Sequence, residues 1–473
     1  MDGSTKKLLS GSAVYFIGNA LTQLISLLLM RFVTGNISPQ EYGFFNLVAT
    51  VSNLAIPFVT LQISDAVFKF VLKSETETEK KEYFSICFLV SAVSVVLIYA
   101  IVFGISIFYT IPHTFLVATY VSSYALLSIY HKIVRSLGKN KVFVTGNLIK
   151  TFIFLSLEII LISTLDMGIE ALLLSHIISL AFVLIYTEIR IRALKFFSLK
   201  SLNFASFKRM LKFSLPLIPN AVFWWMTSSI NSVIVSFRLG MDVNGIYSVS
   251  SKFTSVLNMV TGVLNMSWQD TAIADYGKEG FSEFLTKTFN SFVKLIFSAI
   301  AVLIPFIAIV LPYMVAPSYY GAIQFTPFLL IASGVSTMSG FMAQVFTGKG
   351  KTRTVFTTSI FGMIANITVI LFLVDKIGLW AAVLGSLAAD SVLFIVRTIL
   401  VRKEFAKGIA YKSFILLFGV IVISIVIYLK AEVWSNLGWF IISAIIAFIL
   451  NKQFIMDMIT LLFGKFIRKK KAE

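Results

Sequence analysis

Long apolar runs, separated by short polar loops, repeat along almost the whole of the 473-residue chain. A helix needs about 20 apolar residues to cross the hydrocarbon of a bilayer. Fourteen stretches come close to or exceed that length: 9–33, 44–66, 84–108, 114–134, 142–165, 170–189, 213–237, 246–268, 288–314, 322–346, 355–374, 381–400, 413–429 and 434–450. Their apolar positions are continuous and do not alternate every second residue, which favours helices over strands. The pattern predicts an all-α integral membrane protein with about 14 transmembrane helices.

Composition narrows that reading. Hydrophobic residues make up 58% of the chain and charged residues 13%, where a soluble domain has about 25% charged. A soluble fold of this length cannot hide so much apolar surface, which excludes a soluble enzyme and a disordered chain. The net charge of +18 would suggest nucleic acid in a soluble protein. Here the bases lie between the runs and follow the positive-inside rule, so no nucleic-acid partner is expected. With a cytoplasmic N-terminus, 33 of the 40 Lys and Arg residues, Lys132 and Arg397 among them, fall in inside segments. Arg31, Arg238, Lys376 and Lys430 lie at outside edges, and Lys150, Lys252 and Lys294 within spans. Miscounting one central span would destroy this asymmetry, so both termini are expected in the cytoplasm. The first run is too long for a cleaved signal. The single cysteine, Cys87, permits no internal disulfide, and His113, His131 and His176 are scattered and read as packing or interfacial residues. No metal-ligand spacing and no GxxxxGK[ST] loop occurs. No metal or other cofactor is therefore expected, and energy must come from ion, potential or substrate gradients.

The chain also repeats itself. At an offset of 205, Gly35 matches Gly240 and Tyr42 matches Tyr247; at 210, Gly138 matches Gly348, Lys139 Lys349, Lys141 Lys351, Gly168 Gly378, Ala171 Ala381 and Arg192 Arg402. Two six-span units in the same orientation suit two parallel bundles around a central cavity. The expected organisation is a bundle over 1–190, a basic cytoplasmic linker over 191–212, a second bundle over 213–400, two extra helices over 401–450 and an interfacial basic tail over 451–473. Anionic headgroups would attract that tail; a frayed solvated tail is the other reading.

Polar groups inside the runs are the candidates for chemistry. Ser12, Tyr15, Asn19, Gln23 and Ser26 form a stripe on the first span, suited to a cavity lining or to helix–helix contact. Pro216 and Pro219 open the seventh span, where a bend would suit a gating helix or a static kink; Asn220, Ser228 and Asn231 continue a polar side. Burying a charge in hydrocarbon costs at least about 2.5–3.5 kcal/mol, so ionisable groups carry more weight. Asp390 and Glu158 are deep in their spans, Glu158 sharing a face with Asn147 and Thr151, and Asp65 is nearer an end. These three acids are the ion-coupling candidates, with structural pairing as the other reading. Arg31, Lys150, Lys252 and Lys294, with Asn19, Gln23 and Asn220, are the substrate-binding candidates, because a basic cavity attracts an anionic headgroup. Lysine can also snorkel about two turns to water, which would explain Lys294 and Lys252 without a ligand.

Several segments taken in order resemble the polysaccharide-transporter branch of the multidrug/oligosaccharidyl-lipid/polysaccharide exporter superfamily, the Wzx-type lipid-linked oligosaccharide flippases of O-antigen and capsule synthesis. They are Ile37-Ser38-Pro39-Gln40-Glu41-Tyr42-Gly43, Pro216 to Asn220, Gly245-Ile246-Tyr247-Ser248, and the Gly348-Lys349 loop followed by Asn366 and Ile377-Gly378. The resemblance implies a flippase, not an enzyme, in the bacterial inner membrane. It would move an undecaprenyl-pyrophosphate-linked sugar unit from the cytoplasmic to the periplasmic leaflet by alternating access, in exchange for H⁺ or Na⁺. Implied partners are that glycan, membrane lipid, and the polymerase and chain-length proteins of the pathway. The chain departs from the family at Asn231 and Ser232, where relatives often carry an acid. A cation-coupled drug exporter or a lipid II flippase of the same superfamily are the competing readings. A membrane glycosyltransferase is disfavoured, because no large outside loop or cluster of acidic and His residues is present.

Overall fold

A computed structural model describes residues 25–406, 411–430 and 432–470, and the described residues are helical with short 3-10 turns and no strand. In chain order the helices are α1 (Met30–Asn36), α2 (Pro39–Val59), α3 (Ile63–Leu72), α4 (Glu77–Phe108), α5 (Thr114–Ser136), α6 (Asn140–Leu165), α7 (Ile169–Ile191), α8 (Phe204–Ser214) and α9 (Ile218–Leu239). There follow α10 (Met241–Lys252), α11 (Thr254–Asp275), α12 (Phe281–Met314), α13 (Thr326–Gly348), α14 (Thr352–Ile377), α15 (Trp380–Val401), α16 (Tyr411–Leu429) and α17 (Val433–Lys470). Among the described residues, nine helices are long and apolar enough to cross a membrane. Large apolar side chains such as Phe108, Phe152, Phe372 and Trp434 stand exposed, as lipid-facing residues do. The chain is a multi-pass membrane protein.

Most of the first expected span, with Ser12 and Tyr15, lies outside the described residues; of the other spans most coincide with one helix, and three differ for identifiable reasons. The run 44–66 is broken: α2 ends at Val59, and Leu61 and Gln62 both turn left-handed, with φ of 51° each, before α3 starts. Pro57 prepares the break, since it lacks the N–H that would bond one turn back. The run 246–268 is divided into α10 and α11 at Phe253. The seventh span opens with a 3-10 turn before its helix begins. Pro216 lies in a 3-10 turn, Leu215–Leu217, and Pro219 in the first turn of α9, where a missing donor costs nothing. Beyond the fourteenth run, α17 continues as one helix through most of the basic tail.

Contacts divide the chain into two units, Met1–Gly245 and Ile246–Glu473. In the first, α7 packs on α5 and α6, α4 and α3 pack on α5, and α9 packs on α2. Ile63, Ala66, Phe84, Cys87, Ile133 and Met210 form the buried core at one end of this unit. In the second, α15 packs on α13 and α14, α11 packs on α13, and α12 carries α16 and α17.

The repeat is present in backbone detail: Ala171 N donates to Gly168 O and Ala381 N to Gly378 O at the expected offset of 210, while the turn at Gly138 pairs at a different register. Before α6, Leu137, Gly138 and Lys139 donate to Ile133, Arg135 and Val134; before α14, Lys349, Gly350 and Lys351 donate to Val345, Thr347 and Phe346 in the same pattern. Gly138 (φ 68°) therefore corresponds to Gly350 (φ 71°), 212 residues on, and not to Gly348. Each turn needs one glycine at positive φ, and the Gly348-Lys349-Gly350-Lys351 run offers two. Helix starts show the same relation at 202: a Cβ on Gly43 would collide with the Met241 carbonyl, and a Cβ on Gly245 with the Pro39 carbonyl. The family-like segment around Pro39 is thus a helix start and a close crossing. Ser38 and Glu41 close a capping box, with Glu41 N donating to Ser38 Oγ (3.3 Å) and Ser38 N to Glu41 Oε2 (3.0 Å). Glu41 Oε1 also accepts from Ile169 N, at the start of α7 (3.2 Å).

Candidate functional site

The break between α2 and α3 opens a polar cavity of about 430 Å³ inside the first unit. Asn53 and Pro57 come from the end of α2, Gln62 and Asp65 from the break and α3, Tyr124, Ser128, His131 and Lys132 from α5, and Asn147 and Lys150 from α6. The left-handed turn aims Gln62 into this space, and Gln62 Nε2 donates to Asp65 Oδ2 at 2.7 Å. Lys132 forms an ion pair with the other Asp65 oxygen. His131 stands edge-on to Phe143, ring centroids 4.5 Å apart, and its buried Nε2 has no hydrogen-bond partner among the described residues.

Lys150 is half-buried on the cavity wall. Among the described residues no carboxylate pairs with it. Asp65 is engaged by Lys132, so the cavity carries an excess positive charge in a helical, largely apolar surround. A half-buried ammonium needs water or an anion to offset its desolvation. Chemically, the site can hold an anion by charge and satisfy its remaining oxygens with Asn, Gln, Ser and Tyr groups.

The other expected residues are distributed as follows. Glu158 is buried on α6, about two turns beyond Lys150. Arg31 is exposed on α1, and Asn220 is exposed in the first turn of α9. Lys252 ends α10 and Lys294 lies on α12, both half-buried. Asn19 and Gln23 lie outside the described residues. The structure thus brings Asp65 and Lys150 to one cavity, and Arg31, Glu158 and Asn220 of the same unit are not among its lining residues.

Asp390 is half-buried on α15, with the Ser336 hydroxyl as a hydrogen-bond partner. Arg397, two turns along the same helix, is only 5% exposed. Its Nε donates to Thr358 Oγ1 (3.0 Å), Nη1 to Ser339 Oγ (2.9 Å) and Nη2 to Ser359 Oγ (2.8 Å). The backbone oxygens of Ser339 and Val355 accept further bonds at 3.2 and 3.3 Å. The guanidinium is a clamp joining α13, α14 and α15. Ser232 Oγ donates to Asn244 Oδ1 and accepts from Asn46 Nδ2, each at 2.8 Å.

His131, expected as a packing or interfacial residue, and Lys132, expected in an inside segment, both line the cavity. Tyr124, Ser128 and His131 recur at helical spacing on α5, and that polar face is the signal that points to them. The other two histidines fit the packing reading. His176 sits among Phe45, Tyr120 and Phe154, and His113 lies 3.4 Å from Glu170.

Solved structures share this architecture. A lipid II flippase MurJ in an inward closed conformation superposes with a TM-score of 0.70 at 14% identity, covering 95% of this chain and 100% of that one. An inward-facing multidrug resistance MATE family transporter of the MOP superfamily gives 0.63 at 14% identity, covering 81% and 98%. The Vibrio cholerae MATE transporter VcmN in its bent form gives 0.50 at 16% identity, covering 85% and 99%. At these identities the likeness is one of fold. None of the curated protein sequences compared with the chain matches it. Residues 8–273, more than half of the chain, match the model of the polysaccharide biosynthesis protein family, and the chain belongs to that family.

Proposed function

We propose that this protein is a flippase that carries an undecaprenyl-pyrophosphate-linked oligosaccharide from the cytoplasmic to the periplasmic leaflet of the bacterial inner membrane. It would work without catalysis, by alternating access, for O-antigen or capsule synthesis. The observation that carries the reading is the polar cavity in which Lys150 stands beside the Asp65–Lys132 pair with no carboxylate of its own among the described residues. A pyrophosphate supplies the missing negative charge, and the amide and hydroxyl groups around it suit a sugar. Family membership and the flippase-like fold support the same reading.

In this proposal Lys150 holds the anionic headgroup. Arg31, Lys252, Lys294, Asn19, Gln23 and Asn220 serve it along the path. Asp65, Glu158 and Asp390 exchange H⁺ or Na⁺, with Asp65 able to release Lys132 to the substrate when it takes up a cation. The test is complementation. Deleting the gene should abolish surface polysaccharide, the wild-type gene should restore it, and Lys150→Ala should not, at equal protein level. Full glycan display with Lys150→Ala overturns the cavity's role. Drug export or lipid II complementation without glycan display would transfer the protein to one of the competing readings.

A further inference from the structure

The linker that joins the two sequence repeats is folded, and it creates a second cavity. Ser85 Oγ accepts from Ser198 N (2.9 Å), and Glu82 accepts from Asn203 Nδ2 (3.2 Å) and Ser206 Oγ (2.8 Å). Arg209 Nη2 donates to Tyr83 OH (3.0 Å), and Ala193 and Met210 are fully buried in the core of the first unit. The segment is therefore a fixed platform, not a tether. Between it, α4 and the end of α2 lies an apolar crevice of about 440 Å³.

Three features of this crevice point to one occupant. Ile86, Leu89, Val90, Val93 and Leu97 line it from α4. Their spacing of three, four and seven residues makes one continuous stripe, about 16 Å long at 1.5 Å per residue. That is close to the depth of one leaflet, about half of a 30 Å hydrocarbon core. Leu89, Val93, Leu97 and Phe58 are exposed, so the crevice is open sideways where an acyl chain can enter. At the linker end the lining passes to Leu202, Asn203, Phe204 and Phe207, with Lys200 two residues before this stretch and Lys208 next to Phe207 in the chain. Both lysines are exposed, and no carboxylate pairs with either among the described residues.

We propose that this crevice is a binding site for an anionic phospholipid of the surrounding membrane, with one acyl chain along the α4 stripe and the headgroup phosphate between Lys200 and Lys208. The site is separate from the polar cavity and does not rest on the transport reading. Leu61 lines the crevice while the adjacent Gln62 lines the polar cavity. Lipid bound here therefore presses on one side of the same left-handed turn that shapes the other.

The test uses full-length protein in detergent, titrated with phosphatidylglycerol or with phosphatidylcholine of the same chains, and reads retained lipid by native mass spectrometry. Wild-type protein should retain phosphatidylglycerol preferentially. Each lysine near an anionic headgroup is worth roughly fivefold in affinity, so Lys200→Gln with Lys208→Gln should weaken retention roughly thirtyfold. Val93→Trp, which fills the crevice and keeps both charges, should also abolish the preference. Lys403→Gln, an exposed base elsewhere, should leave it unchanged. Equal retention of the two lipids by wild-type protein overturns the proposal. So does a preference that survives either the charge variant or Val93→Trp. Transport need not be measured, so a failure here is distinct from a failure of the flippase reading.

Discussion

Arg397 and Lys150 are both cations withdrawn into helices, and their surroundings separate structure from function. Arg397 spends its whole donor fork on three hydroxyls and two backbone oxygens. Lysine cannot reproduce that fork, so Arg397→Lys should destabilise the protein by about 2–3 kcal/mol, read as a lower thermal midpoint in detergent. Lys150 makes no such set of bonds, and Lys150→Gln should shift stability by less than about 1 kcal/mol, or raise it, because an uncompensated charge leaves the interior. If Lys150→Gln destabilises as much as Arg397→Lys, Lys150 is a structural residue. Asp65 and Lys150 stand out in the sequence because ionisable groups in apolar runs are conspicuous. Lys132 and Arg397 do not, since a charge near a span end looks solvated whichever way its helix face turns. The direction of that face depends on neighbours that only the folded chain supplies.

Among the elements, the interrupted second span decides where the site is. Two consecutive non-glycine residues in the left-handed region cost roughly 1–2 kcal/mol each, and this strain is stored beside the cavity that the turn builds. The run 44–66 is apolar enough to read as one helix, and a lone Pro57 does not announce a reversal of φ at Leu61 and Gln62. The start of α2 is more legible: Ser38, Pro39 and Glu41 spell out a cap, while the need for Gly43 becomes clear only against the Met241 carbonyl. Gly43→Leu should therefore abolish folding or sharply reduce the yield of intact protein, whereas Ser38→Ala should cost about 1 kcal/mol of stability.

At the end of α13 a different contact ties elements together. Lys349 hydrogen-bonds Glu404, beyond α15, and these bonds to Glu404 and to Tyr276 hold its ammonium above lysine's ordinary 10.5. The folded protein binds that proton more tightly than the unfolded chain does. The resulting stability is whole below pH 10.5 and is lost as pH rises through the higher folded value. Thermal unfolding of wild type should weaken in that alkaline window more than that of Glu404→Gln. Parallel profiles would show that the pair contributes nothing.

For the whole molecule, apolar run length was enough to anticipate an all-helical, multi-pass membrane protein. The repeat was visible too, with the right register at Gly168 and Gly378 but not at Gly138, because Gly348 and Gly350 are equivalent as letters and only Gly350 has a positive φ. The central claim concerns what crosses the bilayer. Its most direct test is a vesicle assay with purified protein and an undecaprenyl-pyrophosphate oligosaccharide placed in one leaflet, its sugar then cleaved by an impermeant glycosidase added on the other side. Wild-type protein should expose the sugar to the enzyme. Lys150→Ala should slow this about tenfold, the equivalent of one charge-assisted contact. No movement with wild-type protein, or an unchanged rate with Lys150→Ala, would contradict the account.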